Sequence, residues 1–138
     1  MLDIDCKTLK KLYRSETPWK IGKLAKKLKI AHSTLGSCIK RLEKEGYVKY
    51  DRYRDVELTE NGKDLANELI RHAQLLEVLL YNGLGLSAEE AHEESEKFHL
   101  LFSCNTINKI CEKFDHPTYS PCGEKILNSQ GCFCQEKG

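Results

Sequence analysis

Apolar positions recur with a helical period three times in the first part of the chain. The first predicted helix runs from Leu2 to Arg14, with its apolar residues on one face. A second amphipathic helix follows over residues 21–28 and carries lysines on its other face. A third is predicted over residues 34–45, with Ser33 as its N-cap and Gly46 as its stop. Two helices of this length with a short turn between them are typical of a helix-turn-helix.

After Gly46 the pattern changes from a helical to an alternating one. Residues 47–50 and 56–59 alternate apolar and polar side chains, which predicts the two strands of a hairpin. The segment between them carries Arg52 and Arg54, so the tip of the hairpin is basic. A basic hairpin directly behind a helix-turn-helix is a wing, and the sequence therefore predicts a winged helix-turn-helix.

The rest of the chain returns to a helical pattern. Residues 60–81 form one long predicted helix, with Thr59 as its N-cap. The segment Ser87-Ala-Glu-Glu90 has the sequence of a capping box and opens a second helix that extends to about Phe102. A third helix is predicted from Ser103 to Phe114. Because a small unit of this kind cannot bury all of its leucines alone, a homodimer is expected.

The predicted fold class is mainly α, with an N-terminal winged helix-turn-helix and a C-terminal helical dimerisation domain. We assign residues 1–62 to the first domain, residues 63–118 to the second and residues 119–138 to a cysteine-rich tail. No apolar run approaches the roughly 20 residues that cross a bilayer, and no signal peptide opens the chain. A cytoplasmic protein without a membrane partner is therefore expected.

Charge is divided unequally between the two halves. Residues 1–62 contain 15 Lys and Arg against 9 Asp and Glu, whereas residues 63–138 contain 7 against 12. A basic half suits a polyanion, and the second helix of a helix-turn-helix presents its N-terminal residues to base edges of double-stranded DNA. The predicted DNA contacts are Lys23, Lys27, Ala31, Ser33, Thr34, Ser37, Lys40, Arg52 and Arg54. No nucleophile–base pair, phosphate loop or acid pair indicates an enzyme.

Cysteine is concentrated at the end of the chain. Five of the seven cysteines fall in the last 35 residues, and without a secretion signal metal or redox chemistry explains them better than disulfides. The thiolates predicted to bind zinc or an iron–sulfur cluster are Cys104, Cys111, Cys122, Cys132 and Cys134. Their spacing matches no strong motif, so free thiols are the alternative. A redox or oxygen response is the corresponding alternative to metal sensing.

Several stretches, taken in order, resemble the diphtheria-toxin-repressor family of iron- and manganese-dependent repressors. They include Arg41-Leu-Glu-Lys-Glu-Gly-Tyr-Val48, Leu58-Thr-Glu-Asn-Gly-Lys-Asp-Leu-Ala66, Arg71-His-Ala-Gln-Leu-Leu-Glu77 and His116-Pro-Thr-Tyr-Ser-Pro-Cys-Gly123. The resemblance implies a homodimeric repressor that binds a palindromic operator when metal is bound. It also implies a short form, without the additional β-domain of longer members.

The metal ligands of the resembled family are only partly present. Glu77 and His92 match one family site, but Ala73 stands where its other histidine is expected. At the second site, Glu96 matches one ligand, whereas the other family positions hold Lys7, His99 and Leu100.

An alternative metal site is indicated by spacing within the second predicted helix of the C-terminal half. His92, Glu96 and His99 are spaced i, i+4, i+7, so one helix face, with Glu77 from a neighbouring helix, could bind Fe²⁺, Mn²⁺ or Zn²⁺. A solvated polar face is the simpler interpretation of the same spacing. The favoured function is a DNA-binding repressor that responds to metal or redox state. The alternative is a metal- or cluster-binding accessory protein that uses its winged helix for protein contacts.

Overall fold

The computed structural model describes residues 1–15, 18–51, 55–100 and 102–130. The helices are α1 (Asp3–Ser15), α2 (Ile21–Leu28), α3 (His32–Lys44), α4 (Glu60–Val78), α5 (Ala88–Ser95) and α6 (Cys104–Lys113), and the strands are β1 (Val48–Lys49) and β2 (Glu57–Leu58). A π-helical turn, Leu79–Gly83, follows α4. The mainly α prediction is confirmed. None of the helices in the described ranges combines the length and apolar character needed to cross a membrane.

The chain divides into two compact units, residues 1–66 and residues 67–138. In the first unit, α1, α2 and α3 pack around fully buried leucines that include Leu9, Leu24 and Leu35. β1 and β2 pair antiparallel, with Val48 opposite Leu58, and an additional bridge joins Trp19 to Val56. These are the helices and the hairpin of the predicted winged helix-turn-helix, whose tip residues, Arg52 and Arg54, lie outside the described residues.

Thr59 joins the end of the hairpin to the start of α4. Its hydroxyl accepts a hydrogen bond from Gly62 N at 3.0 Å, which makes it the N-cap that the sequence predicted, and donates to Gly46 O at 2.6 Å. Gly62 lies so close to the carbonyl of Tyr47 that a Cβ atom would be 1.9 Å from the oxygen. A glycine is therefore required at this crossing.

Two predicted helix boundaries are wrong. α3 begins at His32 with Ala31 at its N-cap and without a side-chain cap, so Ser33 is inside the helix. α5 does not reach Phe102 but ends at Ser95. After it, Lys97 N donates to Glu94 O and Phe98 N donates to Ser95 O, and these bonds span three residues instead of the four of an α-helix. Beyond this turn, Leu100 adopts a positive φ of 52°, which is incompatible with helix.

The second unit has a small apolar core and an extensive polar seam. Residues from α4, α6 and the C-terminal segment form the core: Leu75, Val78, Ile107, Ile110 and Ile126. Alongside it, Asn67, Arg71 and Gln74 on α4 donate to the carbonyls of Asn128, Leu127 and Lys125 at 2.7–2.8 Å. Residues 125–128, assigned by sequence to a tail, are thus held along α4 by side-chain hydrogen bonds.

Candidate metal centre

A cluster of three potential metal ligands surrounds the C-terminal end of α4. Glu77 is buried on this helix, with 2% of its surface exposed, and its Oε1 lies 3.0 Å from Nδ1 of His92 on α5. The other carboxylate oxygen accepts a hydrogen bond of 3.1 Å from the backbone N–H of Cys122. The sulfur of Cys122 lies 3.7 Å from the same His92 nitrogen. Three donor types, oxygen, nitrogen and sulfur, therefore lie close together.

A tight turn presents Cys122 to the other two residues. Gly123 N donates to Ser120 O at 2.8 Å, and Ser120 N donates to Glu124 O at 2.8 Å. Gly123 has a φ of 95°, a left-handed conformation that favours glycine. The turn is flanked by a bridge between Tyr119 and Lys125. Cys122 itself is exposed, so its thiol is accessible to ions from solvent.

The geometry of the Glu77–His92–Cys122 cluster fits a small divalent metal ion. All three donor atoms lie within 4.8 Å of one another. Ligand atoms that share a tetrahedral metal at about 2.0–2.3 Å lie roughly 3.3–3.6 Å apart, so the 3.0 and 3.7 Å separations need only small adjustments. One carboxylate, one thiolate and one neutral imidazole would together neutralise a 2+ charge, which matters for a carboxylate that is almost fully buried.

The other metal candidates from the sequence lie elsewhere. Glu96 is the C-cap of α5 and His99 follows the end of that helix, so the i, i+4, i+7 face does not form. Cys111 pairs with Nδ1 of His116 at 3.3 Å. Cys104 belongs to a different group, with Glu68 and His72. Cys132 and Cys134 lie outside the described residues.

Glu68 and His72 are the candidate ligands that the sequence reasoning missed. Their i, i+4 spacing on a predicted helix was the available signal. The family pattern instead points to position 73, which is Ala73 here, one residue away from His72.

The first unit presents a polar surface on its helix-turn-helix. On α3, Leu35, Ile39 and Leu42 are buried against the unit, and the opposite face is exposed. The predicted DNA-contacting residues within the described ranges are all exposed; they are Lys23, Lys27, Ala31, Ser33, Thr34, Ser37 and Lys40.

Cys38 lies on the buried side of the same helix. Its sulfur packs 3.6 Å from Thr8 Oγ1, and burial raises the pKa of its thiol to about 12. It is therefore an inert packing residue.

An ion pair between the half-exposed Arg41 and the buried Asp5 joins α3 to α1. Asp5 is 4% exposed at its side chain and accepts hydrogen bonds from Arg41 at 2.8 Å and 3.3 Å. Burial alone would raise the pKa of this carboxyl, but the hydrogen bonds from Arg41, Cys38 and Leu2 hold it below the ordinary value of 3.8. The pair therefore positions the helix that carries the predicted DNA contacts.

Asp5→Asn is expected to lower the free energy of unfolding by about 1–3 kcal/mol at neutral pH, because the buried acceptor of the Arg41 hydrogen bonds loses its charge. The pKa of Asp5 is lower in the folded than in the unfolded protein. The stabilisation by this carboxylate is therefore complete above the unfolded-state pKa, and it is lost as pH falls through the folded-state pKa. Urea unfolding from about pH 3 to pH 7 should show the wild-type advantage shrinking toward acid. Asp3→Asn is the control, since the Asp3–Lys7 pair is exposed and should matter little. An equal loss in both variants, or a loss independent of pH, would contradict the assigned role.

Comparison with known proteins gives matches along most of the chain. Residues 7–56 match the family described as iron dependent repressor, N-terminal DNA binding domain, and residues 59–128 match iron dependent repressor, metal binding and dimerisation domain. The iron-dependent repressor IdeR of Mycobacterium tuberculosis is 31% identical over 105 residues, which are 76% of this chain and 46% of the relative. The chain thus matches about half the length of this curated relative.

Solved structures of similar fold span most of the chain. A hypothetical protein, SSo2273, from Sulfolobus solfataricus superposes with a TM-score of 0.73 and 33% identity, covering 90% of this chain and 95% of its own. A manganese-dependent transcriptional repressor in complex with manganese gives a TM-score of 0.81 and 26% identity, covering 96% of this chain and 63% of its own.

Proposed function

Because the chain belongs to the iron-dependent repressor family, we propose that it is a DNA-binding transcriptional repressor that responds to a divalent metal through the Glu77–His92–Cys122 cluster. The observation that carries the proposal is this cluster, in which three different donor atoms lie at distances that suit one ion. The exposed basic face of the helix-turn-helix supports double-stranded DNA as the partner.

The donor set favours particular metals. Carboxylate and imidazole alone discriminate poorly between Fe²⁺, Mn²⁺ and Zn²⁺, but a thiolate is a softer ligand and shifts preference away from Mn²⁺. Cys122 is therefore expected to make Fe²⁺ or Zn²⁺ the effector in preference to Mn²⁺. When bound, the ion would supply a positive charge that holds α4, α5 and the Cys122 turn together. An iron–sulfur cluster receives no support from the described residues, since each of the two ligand groups found among them contains a single cysteine.

Exposed apolar side chains in the second unit support a homodimer. Tyr81, Leu84, Phe98 and Phe102 are between 36% and 68% exposed, and large apolar residues of this kind are commonly covered by a partner. In a two-fold dimer the two recognition helices would have to match half-sites about one turn of DNA apart. Metal binding would then act by favouring the arrangement of the dimer that meets this spacing.

The deciding experiment is a DNA-binding measurement with defined metal content. A duplex is selected from a random library with the Zn²⁺-loaded protein, and its affinity is compared for metal-free, Zn²⁺-, Mn²⁺- and anaerobic Fe²⁺-loaded protein. We expect binding at least about tenfold tighter with Zn²⁺ or Fe²⁺ than without metal, a typical allosteric coupling. Equal affinity in all states would remove metal from the mechanism. Failure to select any duplex at physiological salt would instead support an accessory protein that uses the winged helix for protein contacts.

A further inference from the structure

A second group of ligand-type side chains lies in the second unit, away from the Glu77 cluster. Glu68 and His72 are one turn apart on α4, with 1% and 4% of their surfaces exposed, and Cys104 is the first residue of α6. Nε2 of His72 lies 3.7 Å from Cys104 Sγ and 3.9 Å from Glu68 Oε2. The three donor atoms lie within 4.8 Å of one another.

The environment of His72 is unusual for a buried side chain. Its Nδ1 is fully buried and has no hydrogen-bond partner among the described residues, although buried polar atoms are almost always satisfied. Its other nitrogen faces a carboxylate oxygen at a distance beyond hydrogen-bond range. The only hydrogen bond that the described residues give this imidazole is the weak one between Nε2 and Cys104 Sγ at 3.7 Å, so its Nδ1 is left without a partner.

Glu68 is oriented by the C-terminal segment. Its Oε1 accepts hydrogen bonds from Ser129 Oγ at 2.9 Å and from Gln130 N at 2.6 Å. The other oxygen, Oε2, is the one that faces His72. Metal-binding carboxylates are commonly oriented by hydrogen bonds from neighbouring groups. Glu68 has this arrangement, because Oε1 is held by hydrogen bonds and Oε2 is left to face other donor atoms.

We propose that Glu68, His72 and Cys104 form a second metal site, which takes a Zn²⁺ or Fe²⁺ ion independently of the Glu77 cluster. One oxygen, one nitrogen and one sulfur suit these borderline cations, and the spacings approach the roughly 3.3–3.6 Å of a tetrahedral site. The ion would join α4 to the first turn of α6 and, through Glu68, to Ser129 and Gln130. Its role is to stabilise the second unit.

A redox pair of Cys104 and His72 is the competing use of the same residues. Such a pair requires a protonated imidazole to stabilise the thiolate. The geometry favours metal, because Glu68 Oε2 faces the same His72 nitrogen as Cys104 Sγ, which gives three donor atoms and not a simple thiol–imidazole pair. A neutral imidazole is the form that binds metal.

The test is metal stoichiometry and spectroscopy of the full chain, with Co²⁺ as the probe. We expect wild type to bind two Co²⁺ ions with thiolate-to-cobalt charge transfer, and Cys104→Ser and His72→Gln each to bind one. Cys111→Ser is the matched control and should retain two. Cys122→Ser should also bind one, through the site proposed here, so failure of either site is visible separately. Two ions in both Cys104→Ser and His72→Gln, or a single ion in wild type that Cys122→Ser abolishes, would overturn the proposal.

Alkylation of wild-type protein tests the same site without any substitution. Zn²⁺ should slow the reaction of Cys104 with iodoacetamide, followed residue by residue by mass spectrometry, and leave Cys111 unchanged. Equal alkylation of Cys104 with and without Zn²⁺ would contradict metal binding at this position.

Discussion

Cys122→Ser should lower the affinity for Zn²⁺ or Fe²⁺ at the Glu77 cluster by roughly a hundredfold or more, since even groups that only support metal ligands change affinity by about 10–100-fold. The serine keeps the size of the side chain and the backbone N–H that donates to Glu77, so the hydrogen bond at 3.1 Å remains. What is lost is the thiolate, the softest donor and one of the two charged ligands. The loss should therefore be larger for Zn²⁺ than for Mn²⁺.

Competition with a chromophoric chelator measures the loss of metal affinity. Binding to the selected duplex at increasing metal concentration measures its effect on DNA binding. The metal concentration needed for half-maximal DNA binding should rise by the same factor, while DNA binding at saturating metal is retained. Cys111→Ser is the control, because Cys111 contacts His116 and lies outside the cluster. If the two serine variants respond to metal alike, Cys122 is not a ligand.

The winged helix-turn-helix could be predicted because its signals are local. Helical periodicity, the glycine stop at Gly46 and the Thr59 cap each depend on a few neighbouring residues. The error at the end of α5 is also local, and it arises from short-range hydrogen bonds that compete with the helix and leave no mark on the periodicity. Ser95 is an example, since its hydroxyl donates to the carbonyl of His92 within its own helix.

The candidate metal centre could be predicted only in part. Glu77 and His92 were found from the family pattern and Cys122 from cysteine density, but nothing in the sequence joined the three. Their convergence depends on Asn67, Arg71 and Gln74, which hold backbone carbonyls of residues 125–128 more than fifty positions away. Such side chain-to-backbone contacts follow no periodic rule, so the C-terminal segment was predicted to be a tail.

The environments of the cysteines separate buried packing thiols from candidate metal ligands in a way that their spacing could not. Cys6 and Cys38 are buried in the first unit, and burial raises the pKa of their thiols to about 11 and about 12. Such thiols remain protonated at neutral pH in the absence of metal. By contrast, Cys104 and Cys122 each lie beside a histidine and a glutamate. The candidate metal ligands among the described residues therefore lie in the second unit.

The double variant Lys27→Ala, Lys40→Ala should weaken binding to the selected duplex by one to two orders of magnitude near physiological salt. Both lysines are exposed on the helix-turn-helix, where each is expected to neutralise a phosphate. Every phosphate contact contributes about 0.9 to the slope of log K against log salt, so this slope should become shallower by nearly 2. Salt titration of the metal-loaded protein by fluorescence anisotropy measures it.

Lys109→Ala is the control for this pair, because Lys109 is an exposed lysine on α6 in the second unit. It removes the same type of charge, so a change in slope there would mean that net charge, and not the recognition surface, determines binding. The double lysine variant should keep its metal affinity. Cys122→Ser should do the reverse: its metal affinity falls, and the salt dependence of its DNA binding at saturating metal is unchanged. Loss of both properties in either protein would show that the substitution damaged the fold instead of a contact.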